Sequence, residues 1–145
     1  VIVEPFQPFH VERLIQQGVQ PSQVREVSYV PASYASVQKP PGLSMTAREG
    51  EHIVLCGGVI PTGPRMGLLW ALLSHDAGRH MVWLHRATRR FLEIEPWRRV
   101  EATVESGFPA GCRWLTLLGF EFEGRMRSFG PGGEDHLRYA RVWPS

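Results

Sequence analysis

Eight residues, Ser74-His75-Asp76-Ala77-Gly78-Arg79-His80-Met81, follow the apolar run Met66 to Leu73. They precede a stretch in which Met81, Leu84, Thr88, Phe91 and Leu92 recur at spacings of three and four. An apolar run of that length reads as a core strand, and the recurrence reads as a helix laying one face on a sheet. The residues between them therefore form a glycine-containing loop that opens a helix. The first turn of a helix carries N–H groups with no intrahelical acceptor at the positive end of its dipole, an arrangement that favours an anion. The chemistry this stretch is suited to is binding a ligand phosphate, although most strand-to-helix loops bind nothing. His75, His80 and His85 are spaced i, i+5, which puts successive rings about 140° apart on a helix. A metal pair needs i, i+4, so no metal site is expected. Trp70, Trp83, Trp97 and Trp114 read as core more readily than as stacking platforms for a base. Arg86, Arg89, Arg90, Arg98 and Arg99 read as a solvated face more readily than as a grip on nucleic acid or an acidic partner.

The 145 residues are 43% apolar and 21% charged, with 12 prolines and 15 glycines, a composition that suits a single globular domain spanning 1–145 with a real core. A formal charge of +2 with a pI near 8.8 falls short of the basic stripe that makes nucleic acid the default partner. Cys56 and Cys112 belong to no metal or redox pattern and read as reduced core residues, with a disulfide left open. No apolar run approaches the length of a membrane span and the first residues show no signal-peptide pattern, so a soluble, unsecreted, unanchored protein is expected.

The elements that must position the loop follow from periodicity. Val1 to Val3 suits a first strand, and Phe9 to Gln17 a helix with Val11, Leu14 and Ile15 inward and Gly18 as its stop. Gln20 to Gly42, rich in Pro, Ser and Gln, reads as loop with at most one short helix near Ser22 to Val27. Leu43 to Arg48 and His52 to Val59 form two strands joined at Glu49-Gly50-Glu51, and Pro61-Thr62-Gly63-Pro64 turns the chain into the apolar strand. After the central helix, Val100, Ala102 and Val104 alternate with polar residues as a strand. Pro109 opens a helix whose apolar face is Trp114, Leu117 and Leu118, and Gly119 ends it in the left-handed conformation. Two strands about a Gly-Pro-Gly-Gly turn close the chain.

Arg113-Trp-Leu-Thr-Leu-Leu-Gly-Phe120 followed by Phe120-Glu-Phe-Glu-Gly-Arg-Met-Arg-Ser-Phe129, after a hairpin and a loop into a helix, resembles the C-terminal half of the GNAT N-acetyltransferase superfamily over about Leu43 to Trp143. Cys56-Gly-Gly58, Trp70-Ala-Leu-Leu-Ser74 and Arg89-Arg-Phe91 are also similar to GNAT-like proteins of phages, including internal virion proteins of short-tailed phages. The resemblance implies an α/β (α+β) GNAT fold: a mixed, mostly antiparallel sheet splayed between its fourth and fifth strands, with helices on both faces. It implies acetyl-CoA as substrate, its thioester and pantetheine arm on the backbone of Ala71, Leu72 and Leu73. The pyrophosphate is placed on Asp76 to Met81, including Gly78, Arg79 and His80. The chemistry is direct attack of an amine on the thioester, which asks for positioning, oxyanion-type hydrogen bonds and a base.

Of the family's phosphate pattern, Q/R-x-x-G-x-G/A, the matching positions are His75, Gly78 and His80, so only the central glycine is retained and the other two positions depart from the pattern. Asp76, as an N-cap, is expected to take the N–H of Gly78 or Arg79 and to repel phosphate, with Arg79 offsetting its charge. Where the family often carries a tyrosine acid, this chain has Leu115. Candidate bases are His75, Glu101 and Glu105. Against that role, Glu101 and Glu105 read as solvated or paired with Arg98 and Arg113, and His75 as a cap or surface residue. Two functions follow. One is acetyl transfer to an unidentified amine, in the cytoplasm of a host cell; the other is a catalytically degenerate GNAT-fold module held by protein partners, such as a virion component.

Overall fold

The computed structural model describes residues 1–23 and 43–144. The element order is β1 (Ile2–Pro5), α1 (Pro8–Gln17), β2 (Ser44–Glu49), β3 (His52–Gly63), β4 (Met66–Leu73), α2 (Met81–Leu92), β5 (Arg99–Glu105), α3 (Pro109–Leu117), β6 (Glu121–Met126) and β7 (His136–Val142). One sheet takes the seven strands in the order β1-β2-β3-β4-β5-β7-β6. The β4–β5 pair is parallel, whereas β1–β2, β2–β3, β5–β7 and β6–β7 are antiparallel. The mixed, mostly antiparallel sheet with helices is the expected class. Of the expected helix near Ser22 to Val27, the described residues contain one 3-10 turn, Pro21–Gln23. The rest of that helix, and the loop to Gly42, lie outside them.

β3 departs from expectation by running through Pro61 to Gly63, so the reversal tightens to Pro64 and Arg65, and Arg65 takes φ +58°. Proline presets the first central position of such a turn, which makes the two-residue reversal possible despite the non-glycine at the second.

The contacts group into two units, Val1–Ile60 with Trp70–Met81 and Pro61–Leu69 with Val82–Ser145. In the first, Phe6, Val11, Leu14, Val19, Ile53, Cys56 and Leu72 form a buried cluster with Ile15 and Trp70 packed on it, so α1 presents the face its sequence promised. Gly18, at φ +104°, ends α1 and returns its N–H to Leu14 O (3.0 Å) and Ile15 O (3.2 Å). His10 is buried in this unit. Its Nδ1 accepts the Gln7 N–H (3.0 Å) and lies 2.7 Å from Thr46 Oγ1, which leaves Nε2 as the protonated nitrogen facing Glu4 (3.1 Å). Burial, the largest influence, holds the His10 pKa below its ordinary value.

In the second unit, Val100, Ala102 and Val104 share a face of β5 and are buried, while Arg99, Glu101 and Glu105 alternate on the other. α3 covers the apolar face: a Cβ on Gly111 would stand 2.8 Å from Val104 Cγ2 and 2.8 Å from Phe108 Cδ2. Only glycine permits that approach. The inward residues of α3 are Leu115 (8% exposed) and Leu118 (2%), whereas Leu117, expected on that face, is 71% exposed. A step of 100° per residue puts 115 and 118 on one side and swings 117 away. Trp114 and Phe91 are half-buried. The helix closes as its glycine indicated, with Gly119 at φ +93°, its N–H on Thr116 O (3.0 Å) and the Phe120 N–H on Leu115 O (2.9 Å). These two bonds form a Schellman cap. Cys56 and Cys112 are free thiols; burial pushes the Cys56 thiol up to about 12.

Candidate functional site

β4 pairs with β5 only over Met66 to Leu68, against Arg99 to Glu101. Beyond that point the strand follows the alternation of any strand, successive peptide groups facing opposite edges. The Ser74 N–H goes to Val54 O (2.9 Å), so position 74 faces β3, and by alternation 71, 73 and 75 present their polar groups to the other edge. The chain's own residues 18–23 meet them there. Ala71 O accepts from Gln23 Nε2 and the Leu73 N–H donates to Gln23 Oε1, both at 2.9 Å. Leu73 O accepts the Gln20 N–H (3.0 Å), and the His75 N–H donates to Gly18 O (3.0 Å). The Gln20 side chain adds bonds to Ser74 O (2.7 Å) and His75 O (3.2 Å). Gln23 is buried at 8% exposure. Of the three positions to which the thioester was assigned, Leu72 thus faces β3, while Ala71 and Leu73 face the edge that Gln23 covers.

The turn after β4 is built from backbone. The Ala77 N–H bonds Ser74 O (3.1 Å) and the Arg79 N–H bonds Asp76 O (3.4 Å), making a 3-10 turn, Ala77–His80, that runs straight into α2 at Met81. Asp76 stands at the cap position without capping. Its Oδ1 instead accepts from Ser74 Oγ (2.6 Å) and His52 Nε2 (3.0 Å). Those bonds, Ser74's first, hold its carboxyl down at about 2. A hydroxyl two residues away and an imidazole on β3 outcompete the turn's N–H groups for the carboxylate, a contact that local spacing does not reveal.

Gly78 is exposed, and a Cβ added to it would meet no atom of the described residues within 4 Å, so these leave a ligand room to approach this backbone. Arg79 is exposed and His80 half-buried, and both face Glu49 at the end of β2, Nη2 and Nε2 each 3.9 Å from a carboxylate oxygen. The turn therefore carries Arg79 and His80 against Asp76 and Glu49. His75 is exposed, its Nδ1 3.3 Å from Gly18 O. A carbonyl can only accept, which places the proton on Nδ1 and leaves the Nε2 lone pair of a neutral ring available.

The other two candidate bases lie in the second unit. Glu101 is committed: Arg138 Nη1 reaches its Oε2 (3.1 Å) and Arg99 Nη2 its Oε1 (3.2 Å), where Arg98 and Arg113 had been expected. Strand register explains the exchange. Arg99 shares Glu101's face two residues away and Arg138 lies on the neighbouring strand β7, while Arg99 also reaches across to Glu123 on β6 (3.0 Å). Arg98 turns instead to Met66 Sδ (3.0 Å). Glu105 is half-buried, paired in register with His136. Among the described residues no group of three or more His, Cys, Asp or Glu could hold a metal ion, and no helix is long and apolar enough to cross a membrane.

Sequence reasoning missed Gln20, Gln23, Glu49 and His52. Each meets the strand or turn through residues at least 24 positions distant, and a glutamine in a Pro- and Ser-rich loop carries no local mark of such a role.

No family model matches the chain, and no curated protein matches it in sequence. Solved structures do match in fold. The ribosomal-protein-S18-alanine N-acetyltransferase of Escherichia coli superposes with a TM-score of 0.71 at 14% identity, covering 97% of this chain and 92% of that one. An IAA acetyltransferase from Bacillus cereus gives 0.65 at 14% identity, over 98% and 99%. A spermidine N-acetyltransferase variant from Vibrio cholerae gives 0.64 at 10% identity, over 98% and 95%. The chain has the fold of these acetyltransferases.

Proposed function

We propose that the protein transfers an acetyl group from acetyl-CoA to an amine. The observation that carries this reading is the open turn at Gly78, which follows β4 and opens α2 in a fold shared with N-acetyltransferases. In this reading the backbone of Asp76 to Met81 binds the pyrophosphate, with Arg79 supplying positive charge and the His80 ring beside it. Ala71 and Leu73 offer the β4 edge to the pantetheine arm and thioester, with Leu72 behind them on the β3 side. The amine nitrogen attacks the thioester carbon, the thiolate of coenzyme A leaves, and the amine's proton passes to a base. His75 fits the base best, because its Nε2 lone pair is available whereas both oxygens of Glu101 are held by guanidinium groups. Glu105 is the second candidate. Thiol release from acetyl-CoA, measured across a panel of amines and N-terminal peptides, tests the reading. Turnover that falls at least tenfold in His75→Asn supports it, and no thiol release with any amine by folded protein counts against it.

A second reading is favoured by a separate observation. The edge meant for the pantetheine arm is filled by Gln20 and Gln23, and Glu49 and Asp76 stand beside the phosphate turn. These features suit a non-catalytic module of the same fold, held by protein partners, as in a phage particle. Binding of acetyl-CoA separates the two.

A further inference from the structure

The Gln23 carboxamide makes the two bonds on β4 that the N–H and C=O of one residue on an adjacent strand would make. It donates to Ala71 O and accepts from the Leu73 N–H, both at 2.9 Å, with the side chain buried. Among the described residues of this unit, one other side-chain amide bonds a strand edge twice. The Gln17 side chain does the same at β3, accepting from the Ile53 N–H (2.9 Å) and donating to Ile53 O (2.8 Å), but both groups there belong to one residue near the strand's beginning. At Gln23 the bonded groups are two residues apart on one edge, the spacing at which an extended chain lies along a strand.

The pantetheine arm of an acyl-CoA is such a chain: each of its two amides offers one N–H and one C=O. We propose that the Gln23 carboxamide stands where the pantetheine arm sets the N–H of one amide and the C=O of the other against β4, so that an acyl-CoA enters by displacing this carboxamide and Gln23 sets the affinity of the site. The inference rests on the acyl-CoA reading of β4 given above. Its physical content is an exchange. The ligand's two amides form the bonds that Gln23 gives up, one each, and the carboxamide must be solvated elsewhere, so the net gain of binding is smaller than the contacts suggest. The nucleotide end is not touched by the exchange, because the phosphate turn lies beyond the residues Gln23 bonds.

The test compares wild type with Gln23→Ala, using coenzyme A and adenosine 3′,5′-bisphosphate, which lacks the pantetheine arm, as probes in calorimetry. Removing the competitor should tighten coenzyme A by about tenfold, the equivalent of one or two ordinary hydrogen bonds, and leave the bisphosphate unchanged. Coenzyme A binding that is unchanged or weaker in the variant, with wild type binding measurably, overturns the role of Gln23 and leaves the acyl-CoA reading standing. Absence of binding by both folded proteins overturns both. Because Gln23→Ala strips partners from buried groups and can unfold the chain, the wild type carries a second readout by NMR. Saturating coenzyme A should release the Gln23 carboxamide protons to fast exchange while the Leu73 amide stays protected; a carboxamide that remains protected refutes the displacement.

Discussion

Asp76 is the residue at which the phosphate turn and the stability of the fold pull in opposite directions, and Asp76→Asn separates them. In the folded protein its carboxyl is held at about 2, against an ordinary value of 3.8, by bonds from Ser74 Oγ and His52 Nε2. A folded-state pKa below the unfolded one stabilises the protein above the unfolded value, and that contribution is lost as pH falls through the folded one. The window is therefore from about pH 4 down to about pH 2. A depression of that size corresponds to at most about 2.5 kcal/mol. With 27% of the side chain exposed, solvent screening reduces it to about 1 kcal/mol. Asparagine keeps an acceptor for Ser74 and His52 but loses the charge, so the variant should be less stable by about 1 kcal/mol at pH 6. Urea unfolding of both proteins between pH 6 and pH 2.5 measures the difference, in which the other carboxylates cancel. The gap should narrow steadily below pH 4. The same substitution removes a negative charge from a turn proposed to bind pyrophosphate, so coenzyme A should bind about fivefold tighter, as expected for loss of about 1 kcal/mol of repulsion. A stability gap that is constant with pH would refute the assignment of these bonds to the ionised carboxylate, and an unchanged affinity would place the phosphates elsewhere.

Gly111→Ala ought to stabilise an ordinary helix by about 1 kcal/mol, but here the new methyl meets Val104 and Phe108 at 2.8 Å. Thermal unfolding should show a loss of about 1 to 3 kcal/mol instead, and an increase in melting temperature would mean that α3 does not lie this close to β5. Leu118→Ala should cost about 2 to 5 kcal/mol and Leu117→Ala less than about 0.5 kcal/mol, because one side chain is buried and the other exposed. Equal losses in denaturant titration would show that the faces of α3 are assigned wrongly.

The order of strands and helices was legible because each is written in short-range period and punctuation. Met66 to Leu73 is apolar throughout, Gly18 and Gly119 stop their helices, and Val100, Ala102 and Val104 alternate. What failed also has a physical pattern. Leu117 was assigned inward from apolarity alone, although its angular position on α3 opposes that of Leu115 and Leu118. Pro61 was read as a turn, yet β3 carries it. At the candidate site, the turn and its glycine could be located from the loop between a strand and a helix. The partners of Asp76, the pairing of Glu101 with Arg99 and Arg138, and the Gln23 contact with β4 could not. These are choices among side chains that tertiary register brings together, and no local pattern distinguishes a chosen partner from its neighbours.

The most direct measurement is the melting temperature of the protein with acetyl-CoA, in wild type and in Gly78→Glu. Ligand at about a hundred times its dissociation constant should stabilise the native state by about 2.7 kcal/mol, a shift of roughly 5 to 15 °C for a domain of this size. The glutamate has open space for its Cβ, so it should fold as wild type does, but its charge and bulk beside the backbone should abolish the shift. No shift for folded wild type at millimolar acetyl-CoA and low salt would contradict the acetyltransferase reading. A shift that survives Gly78→Glu would place the ligand away from the turn that opens α2.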